Sequence, residues 1–430
     1  MKYREILDYC IKSFKDKGID KSKCTLDQTE KRELYFNNGS VSMFRTTFNT
    51  RLSLNAIKND KLGSITLNKT DKASLDKAIE DAIALANASQ PDPANDISEF
   101  QPSEDFTSGV MVPDNDKMYF RLNEFLNHVK TAYPITHFEE GGLSYIRTNY
   151  FFKNSNGVDY SQDQGEYQFM TMFTSKKDKK ISSFNYTYKL MKGLDEKLID
   201  IVNLKALLKQ SAEEIDAKPF DKKFTGEIII TPDCLGSTLS PLMSHLGDYY
   251  HITGASLLKD KLNEKIASEK FTLRADPVCD RYATNSFITG DGYKNQNAVI
   301  IEKGMLKTFL LSLHGAKKTG KARSLTDGSN MSVDTGDTAL ADMIKNTKQG
   351  ILLSRFSGGE PNNNGDFSGI AKNSYYIENG EIKYPVKEIM INGNALGMLN
   401  DIEEISKESI DYGFSNYPWV KIKNITISGK

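Results

Sequence analysis

Glu33-Leu-Tyr-Phe36, Asn37-Asn38-Gly39 and the run from Val41 to Ile57 read as strand, turn and strand. Apolar and polar side chains alternate along them, and an Asn-Gly pair supplies the tight connection that an antiparallel hairpin needs. A second turn, Asn59-Asp-Lys-Leu-Gly63, leads into Ser64–Leu67. The period then changes. From Asp71 to Ala88 the apolar residues are Leu75, Ala78, Ile79, Ala82, Ile83 and Ala86, one face of a helix. Upstream, Tyr3, Ile6, Leu7, Cys10, Ile11 and Phe14 draw the same stripe over residues 2–16. Strands bracketed by amphipathic helices predict an α+β fold, a helix-covered sheet over residues 1–88.

Beyond it, residues 89–115 are rich in Pro, Asp, Ser and Asn and carry no period, so they are expected to be a linker. Met118, Leu122, Phe125, Leu126 and Val129 predict a helix around 116–131. Residues 142–192 alternate in the manner of strands, with Asn154–Gly157 and Lys176–Lys180 at the turns. Helical spacing returns over 193–215 through Leu194, Leu198, Ile201, Leu204, Leu207 and Leu208, until Lys218-Pro-Phe220 breaks it. A central α+β region over 116–220 follows from this. Gly226-Glu-Ile-Ile-Ile230 opens a buried strand, and short strands recur at Val299–Ile301, Leu306–Leu310, Gly350–Leu353, Ser374–Ile377, Ile382–Pro385, Glu388–Asn392 and Val420–Ile427. The expectation for 221–430 is a β-rich, barrel-like domain, closed or nearly closed so that few edges stay unpaired.

The 430 residues carry 56 Lys and Arg against 57 Asp and Glu, which leaves no basic field to hold a polyanion; nucleic acid is not expected as a partner. No stretch approaches the ~20 apolar residues that span a bilayer, and Met1–Leu7 lacks the order of a secretory signal. Cys10, Cys24, Cys234 and Cys279 form no close pair and are read as reduced thiols, so a cytoplasmic protein with no membrane partner is expected.

Only five histidines are present, and the one concentration of metal-binding types is Cys234, His245 and His251. A hydrolytic zinc takes three protein ligands and a water, but gaps of eleven and six match no established ligand spacing; isolated histidines on a polar helix are the simpler reading. Ser256-Leu-Leu-Lys259 matches S-x-x-K, a pattern short enough to arise by chance in a chain rich in both residues. No phosphate-binding G-x-x-x-x-G-K-[ST] loop occurs. Ser357–Gly369 is a long Gly/Asn loop. It is either a surface connection or a backbone that an extended peptide can approach, and Gly358, Gly359, Asn363 and Gly365 are its candidate contacts.

Eight segments between residues 287 and 394 carry a resemblance. Phe287-Ile-Thr-Gly-Asp-Gly-Tyr293 looks like F-D-x-E-G, Ile301–Leu310 like ED-G-x-L-x-x-Y/F-L, His314–Gly320 like S-A-R/K-K-L-G, and Gly350–Leu353 like G-L/I-L-V. Gly365-Asp-Phe-Ser-Gly369, Tyr376-Ile-Glu-Asn-Gly380, Tyr384-Pro-Val-Lys-Glu-Ile389 and Ile391-Asn-Gly-Asn394 follow in the same order. In this arrangement the chain resembles the TldD/PmbA proteins, known as modulators of DNA gyrase and as peptide-processing metalloproteases. In that family TldD-type members carry H-E-x-x-x-H on one helix, two zinc ligands and a general base, with a further Cys near the C-terminus. The corresponding stretch here is Leu239–His245: Ser240 stands at the first His, Pro241 at the Glu, and His245 alone keeps its type, while no Cys follows Cys279. A prolyl ring accepts no proton. The resemblance therefore implies a TldE/PmbA-type pseudo-enzyme subunit with no catalytic residue and no metal of its own. The expected zinc lies in a TldD-type partner, the dimer being hetero- or homomeric, and the substrates are unfolded or leader peptides. Two alternatives stay open: a divergent metallopeptidase using Cys234, His245 and His251, and a gyrase- or DNA-associated binding protein.

Overall fold

The computed structural model describes residues 3–37, 39–358, 360–362 and 364–429. The fold is α+β, as the change of period predicts. Three helices form where the apolar stripes lie. α1 (Tyr3–Asp16) buries Ile6, Leu7, Cys10 and Phe14. α2 (Lys72–Ala88) buries Leu75, Ala78, Ile79, Ala82 and Ala86, and Asp71 caps it by accepting the Ser74 N–H at 3.0 Å. α3 (Asn115–Ala132), capped in the same way by Asp114, buries Met118, Leu122, Phe125, Leu126 and Val129.

The first sheet holds β1 (Lys21–Asn37), β2 (Ser40–Lys58), β3 (Lys61–Leu67), β4 (Glu104–Gly109), β5 (Thr136–Asn154), β6 (Asp159–Lys177), β7 (Lys180–Ile181) and β8 (Asn185–Met191). Its order is β3-β2-β1-β5-β6-β4, with β7 and β8 also on β6. The expected hairpin is β1–β2; Asn38 of its turn lies outside the described residues. Cys24, Leu26 and Leu34 share one parity on β1 and so one face of the sheet. Cys24 and Leu26 pack with α1 and α2, whereas Leu34 packs with α3, so helices cover the two ends of one long face.

Two expectations change. Residues 89–115 are not structureless: Glu104–Gly109 pairs in parallel with Tyr160–Gly165. Of 193–215, only α4 (Leu204–Glu214) is helical. Leu194, Leu198 and Ile201 are buried all the same, but Val202 sits at φ 40°, which a continuous helix does not tolerate.

The second sheet is built from β9 (Lys218–Pro219), β10 (Lys223–Ile230), β11 (Leu273–Ala275), β12 (Ala298–Glu302), β13 (Met305–Leu306), β14 (Met331–Val333), β15 (Gln349–Leu353), β16 (Arg355–Gly358), β17 (Asp366–Lys372), β18 (Ser374–Glu378), β19 (Glu381–Lys387), β20 (Ile389–Asn394), β21 (Ile402–Asp411) and β22 (Asn416–Ser428). Its path runs β13-β12-β11-β14-β22-β10-β15-β18-β19-β9 and does not close: the fold has a curled half-barrel. β22 is its hub, bonded to β10, β14, β20 and β21. The expected strand Leu306–Leu310 shrinks to Met305–Leu306, and the two ends of the expected loop 357–369 belong to β16 and β17, which pair as a hairpin. α5 (Pro232–Leu246) follows β10 directly and packs on β22 and β16. Among the described residues no helix is long and apolar enough to cross a membrane.

Candidate functional site

α5 is amphipathic in a way that sets the site. Leu235, Leu239, Leu242 and Leu246 are buried against the core, while Ser237, Thr238, Ser240 and Pro241 line a cavity of about 320 Å³. Pro232 at the first helical position suits a start, where its missing N–H is not needed. Pro241 is different, because it lies inside the helix. It offers no N–H to the Ser237 carbonyl one turn back, and its ring crowds that carbonyl. The Ser237 and Thr238 hydroxyls both donate to the Cys234 carbonyl, at 2.8 and 3.0 Å. The hydroxyls on this stretch are thus partly engaged by the helix's own backbone.

Opposite α5, the cavity is walled by Phe356 on β16 and Phe367 on β17, their rings edge-on at 5.4 Å. Ile228 and Ile230 of β10, Ile391 and Met398 complete an apolar lining, and Glu360 is its one carboxylate. Gly358 is also in the wall. Gly358 and Gly369 face each other across the hairpin, and a side chain at either position would drive into the Phe356 ring. Their function here is to admit that ring. Gly365, at φ 86°, makes the hairpin turn, where its carbonyl accepts the Ala395 N–H at 2.7 Å. Gly359 and Asn363 lie outside the described residues.

The structure thus brings Ser240, Pro241 and Gly358 to one cavity and leaves Gly365 and His245 off its lining. His245 is buried, with Nδ1 accepting the Leu257 N–H at 3.2 Å and its ring 4.5 Å from Tyr250. Burial lowers its pKa. His251 is buried against Phe309 at 4.4 Å, its pKa also lowered by burial. Cys234 is buried as well, its thiol pushed up to about 11 by burial. Eleven residues of helix separate Cys234 from His245, roughly 16 Å along the axis. Among the described residues no three His, Cys, Asp or Glu side chains gather as a metal site would require. Ser240, Pro241 and His245 do not fit a hydrolytic zinc either, since they offer a hydroxyl, a prolyl ring and an imidazole already bonded to backbone. Ser256 donates to the His245 carbonyl at 2.6 Å and accepts the Leu258 N–H, so it braces the α5 terminus.

A larger cavity, about 500 Å³, lies between the first sheet and residues 289–327. Inside it Asp291 is held below the usual carboxylate range by Arg323 and Thr289, which outweigh its burial. The sequence singles out this Phe287–Tyr293 segment only as a family motif. A third cavity, walled by Tyr186, Tyr188, Tyr412 and Tyr417, was not foreseen. Its one sequence signal is the aromatic density of Tyr412-Gly-Phe-Ser-Asn-Tyr417.

The comparisons agree with this architecture. Residues 224–429 match the PmbA/TldA metallopeptidase C-terminal domain, and residues 26–86 match PmbA/TldA metallopeptidase domain 1. A metalloprotease of Archaeoglobus fulgidus is 30% identical over 256 residues, 56% of this chain and 57% of that protein. A zinc metalloprotease TldD homolog of Saccharolobus solfataricus is 29% identical over 230 residues, 47% and 51% of the two chains. The chain thus spans little more than half the length of these curated relatives. The crystal structure of TldE from Thermococcus kodakarensis superposes with a TM-score of 0.82 at 19% identity, covering 99% of this chain and 100% of that one. With two domain models of one family matched in order on a fold shared along its whole length, the chain belongs to the TldD/PmbA family.

Proposed function

We propose that this chain is a zinc-free, TldE-type subunit of a cytoplasmic TldD/TldE-type metalloprotease, completing a chamber for extended or unfolded peptides beside a zinc-bearing TldD-type partner. The observation that carries the reading is the wall of the α5 cavity. Ser240 and Pro241, from the stretch that resembles the family's zinc helix, line it, and neither can activate a water. Nowhere in the sequence does Glu follow His. The cavity is nevertheless present, largely apolar and roofed by a short strand. β16 pairs with β17 and has no second strand partner among the described residues, so an extended peptide could add beside it. Met43, Phe44 and Phe48 stand exposed on β2, which suits burial against a partner subunit.

The test is reconstitution. Purified alone, the chain is expected to cleave no unfolded peptide and to bind no stoichiometric zinc. Mixed with a zinc-bearing TldD-type paralogue from the same organism, it should co-elute and raise peptide cleavage. Zinc-dependent hydrolysis by the isolated chain, lost in His245→Ala, would instead establish the divergent metallopeptidase.

A further inference from the structure

The third cavity, about 350 Å³, lies where the first sheet meets the second. β8 brings Tyr186 and Tyr188 to it, the first turn of α5 brings Asp233, the segment after β21 brings Tyr412 and Phe414, and the start of β22 brings Tyr417. The rings are mutually braced: Tyr188 meets Phe414 edge-on at 5.6 Å, and Phe414 lies 6.4 Å from Tyr412. Gly236 keeps the floor open, since a methyl there would press on the Tyr417 ring at 3.2 Å. Asp233 is the one carboxylate in the lining. Asp233 accepts a hydrogen bond from the Tyr412 hydroxyl at 2.9 Å and has no basic side chain against it. Burial pushes its carboxyl up to about 6. In the same wall, the Thr187 hydroxyl is buried and makes no hydrogen bond.

The one cation in the lining, Arg355, is held in place by neutral partners. Its guanidinium lies 3.8 Å from the Phe184 ring centroid and donates to the Phe184 carbonyl at 2.7 Å and the Ser183 hydroxyl at 3.0 Å. A half-buried carboxylate with no ion pair, surrounded by aromatic rings, favours a positive guest on two counts. The guest restores the charge balance that burial disturbs, and each ring face adds cation–π attraction. An anion would meet Asp233, and a plain hydrocarbon would leave that carboxylate unanswered.

We infer that this cavity binds an aliphatic cation, an ammonium or guanidinium on a short stem, with its head at Asp233 and its stem between Tyr188, Phe414 and Tyr417. The site is separate from the α5 cavity and requires neither zinc nor a partner subunit. Such a cation comes either as a free amine or as a basic side chain of a peptide.

Calorimetric titration of the purified full chain tests it with two charged probes, butylammonium and acetyl-lysine methylamide. Each has an uncharged counterpart, butanol and acetyl-norleucine methylamide. At least one charged probe is expected to bind about tenfold or more tightly than its counterpart, and which one does so identifies free amine or peptide side chain as the source. Asp233→Asn should remove that preference. Should that variant fail to fold, Tyr186→Leu at the half-exposed rim serves in its place, with an expected loss of about threefold for one ring face. Equal binding of charged and uncharged probes overturns the inference. So does undiminished preference in the folded Asp233→Asn variant, full affinity in Tyr186→Leu, or no heat from either cation at about 10 mM.

Discussion

Lys421 stands at the centre of β22 with its side chain 3% exposed, between Glu227 of β10 at 2.9 Å and Glu404 of β21 at 3.1 Å. One ammonium thus joins three neighbouring strands of the second sheet. Lys421→Met keeps the volume and removes the charge, leaving two carboxylates that are each 18% exposed. Glu227 retains the Lys348 N–H at 3.0 Å, whereas the second oxygen of Glu404 already makes no hydrogen bond. Breaking a buried pair by removing one member costs about 3–5 kcal/mol. The residual exposure of both carboxylates puts the expected loss near the lower end, about 3 kcal/mol. Urea unfolding followed by tryptophan emission reads this directly, because the chain's one tryptophan, Trp419, is buried two residues away on the same strand. The triple variant Lys421→Met, Glu227→Gln, Glu404→Gln should recover most of the loss, since it leaves no uncompensated charge. A loss below about 1 kcal/mol in the single variant, or a triple variant no more stable than the single, would refute the reasoning.

Gly369→Ala pushes a methyl into the Phe356 ring; overpacking of about 1–3 kcal/mol should loosen the β16–β17 hairpin, read as faster proteolysis between residues 358 and 369. Pro241→Ala returns a donor to the Ser237 carbonyl and removes an interior prolyl worth about 3 kcal/mol, less about 1 kcal/mol of unfolded-chain entropy, so the variant should be more stable by about 2 kcal/mol in the same urea assay. Glu166 has its pKa pushed up to about 7 by burial, so its fold favours the protonated form. The charged form therefore costs stability progressively as pH rises from the ordinary 4.5 to about 7. Glu166→Gln should stabilise the protein at pH 8 by at most about 3 kcal/mol and have little effect at pH 4.5; equal effects at both would disprove the assignment.

Strongly periodic segments were legible and interrupted ones were not. α1, α2, α3 and the β1–β2 hairpin carry uninterrupted periods, and each forms where its residues predict. β21 has no readable alternation because its pairing with β22 slips twice, between Ile402 and Glu404 and between Ile405 and Ser409, turning successive side chains to different faces. Burial alone does not distinguish a helix from an irregular coil, which is why Leu194, Leu198 and Ile201 kept a helical spacing without a helix. In the site, the motif comparison located Ser240 and Pro241, and the Gly/Asn run located Gly358, but only the fold brings residues so distant in sequence to one cavity. The glycines of that run had a packing explanation that composition could not supply, because the ring they admit, Phe356, lies on their own hairpin.

The hub strand also constrains the order of assembly. Lys223 of β10 faces Ser428 of β22, and β10 lies between β22 and β15 in the sheet. On a ribosome the first sheet has every strand it needs once β8 has emerged. The second cannot acquire its central strand until residues 416–428 are made, so β10 and β15 wait with one exposed apolar edge. Long-range pairing of this kind is slow, and the interval before β22 docks is when the nascent chain is most exposed to aggregation and to holding chaperones.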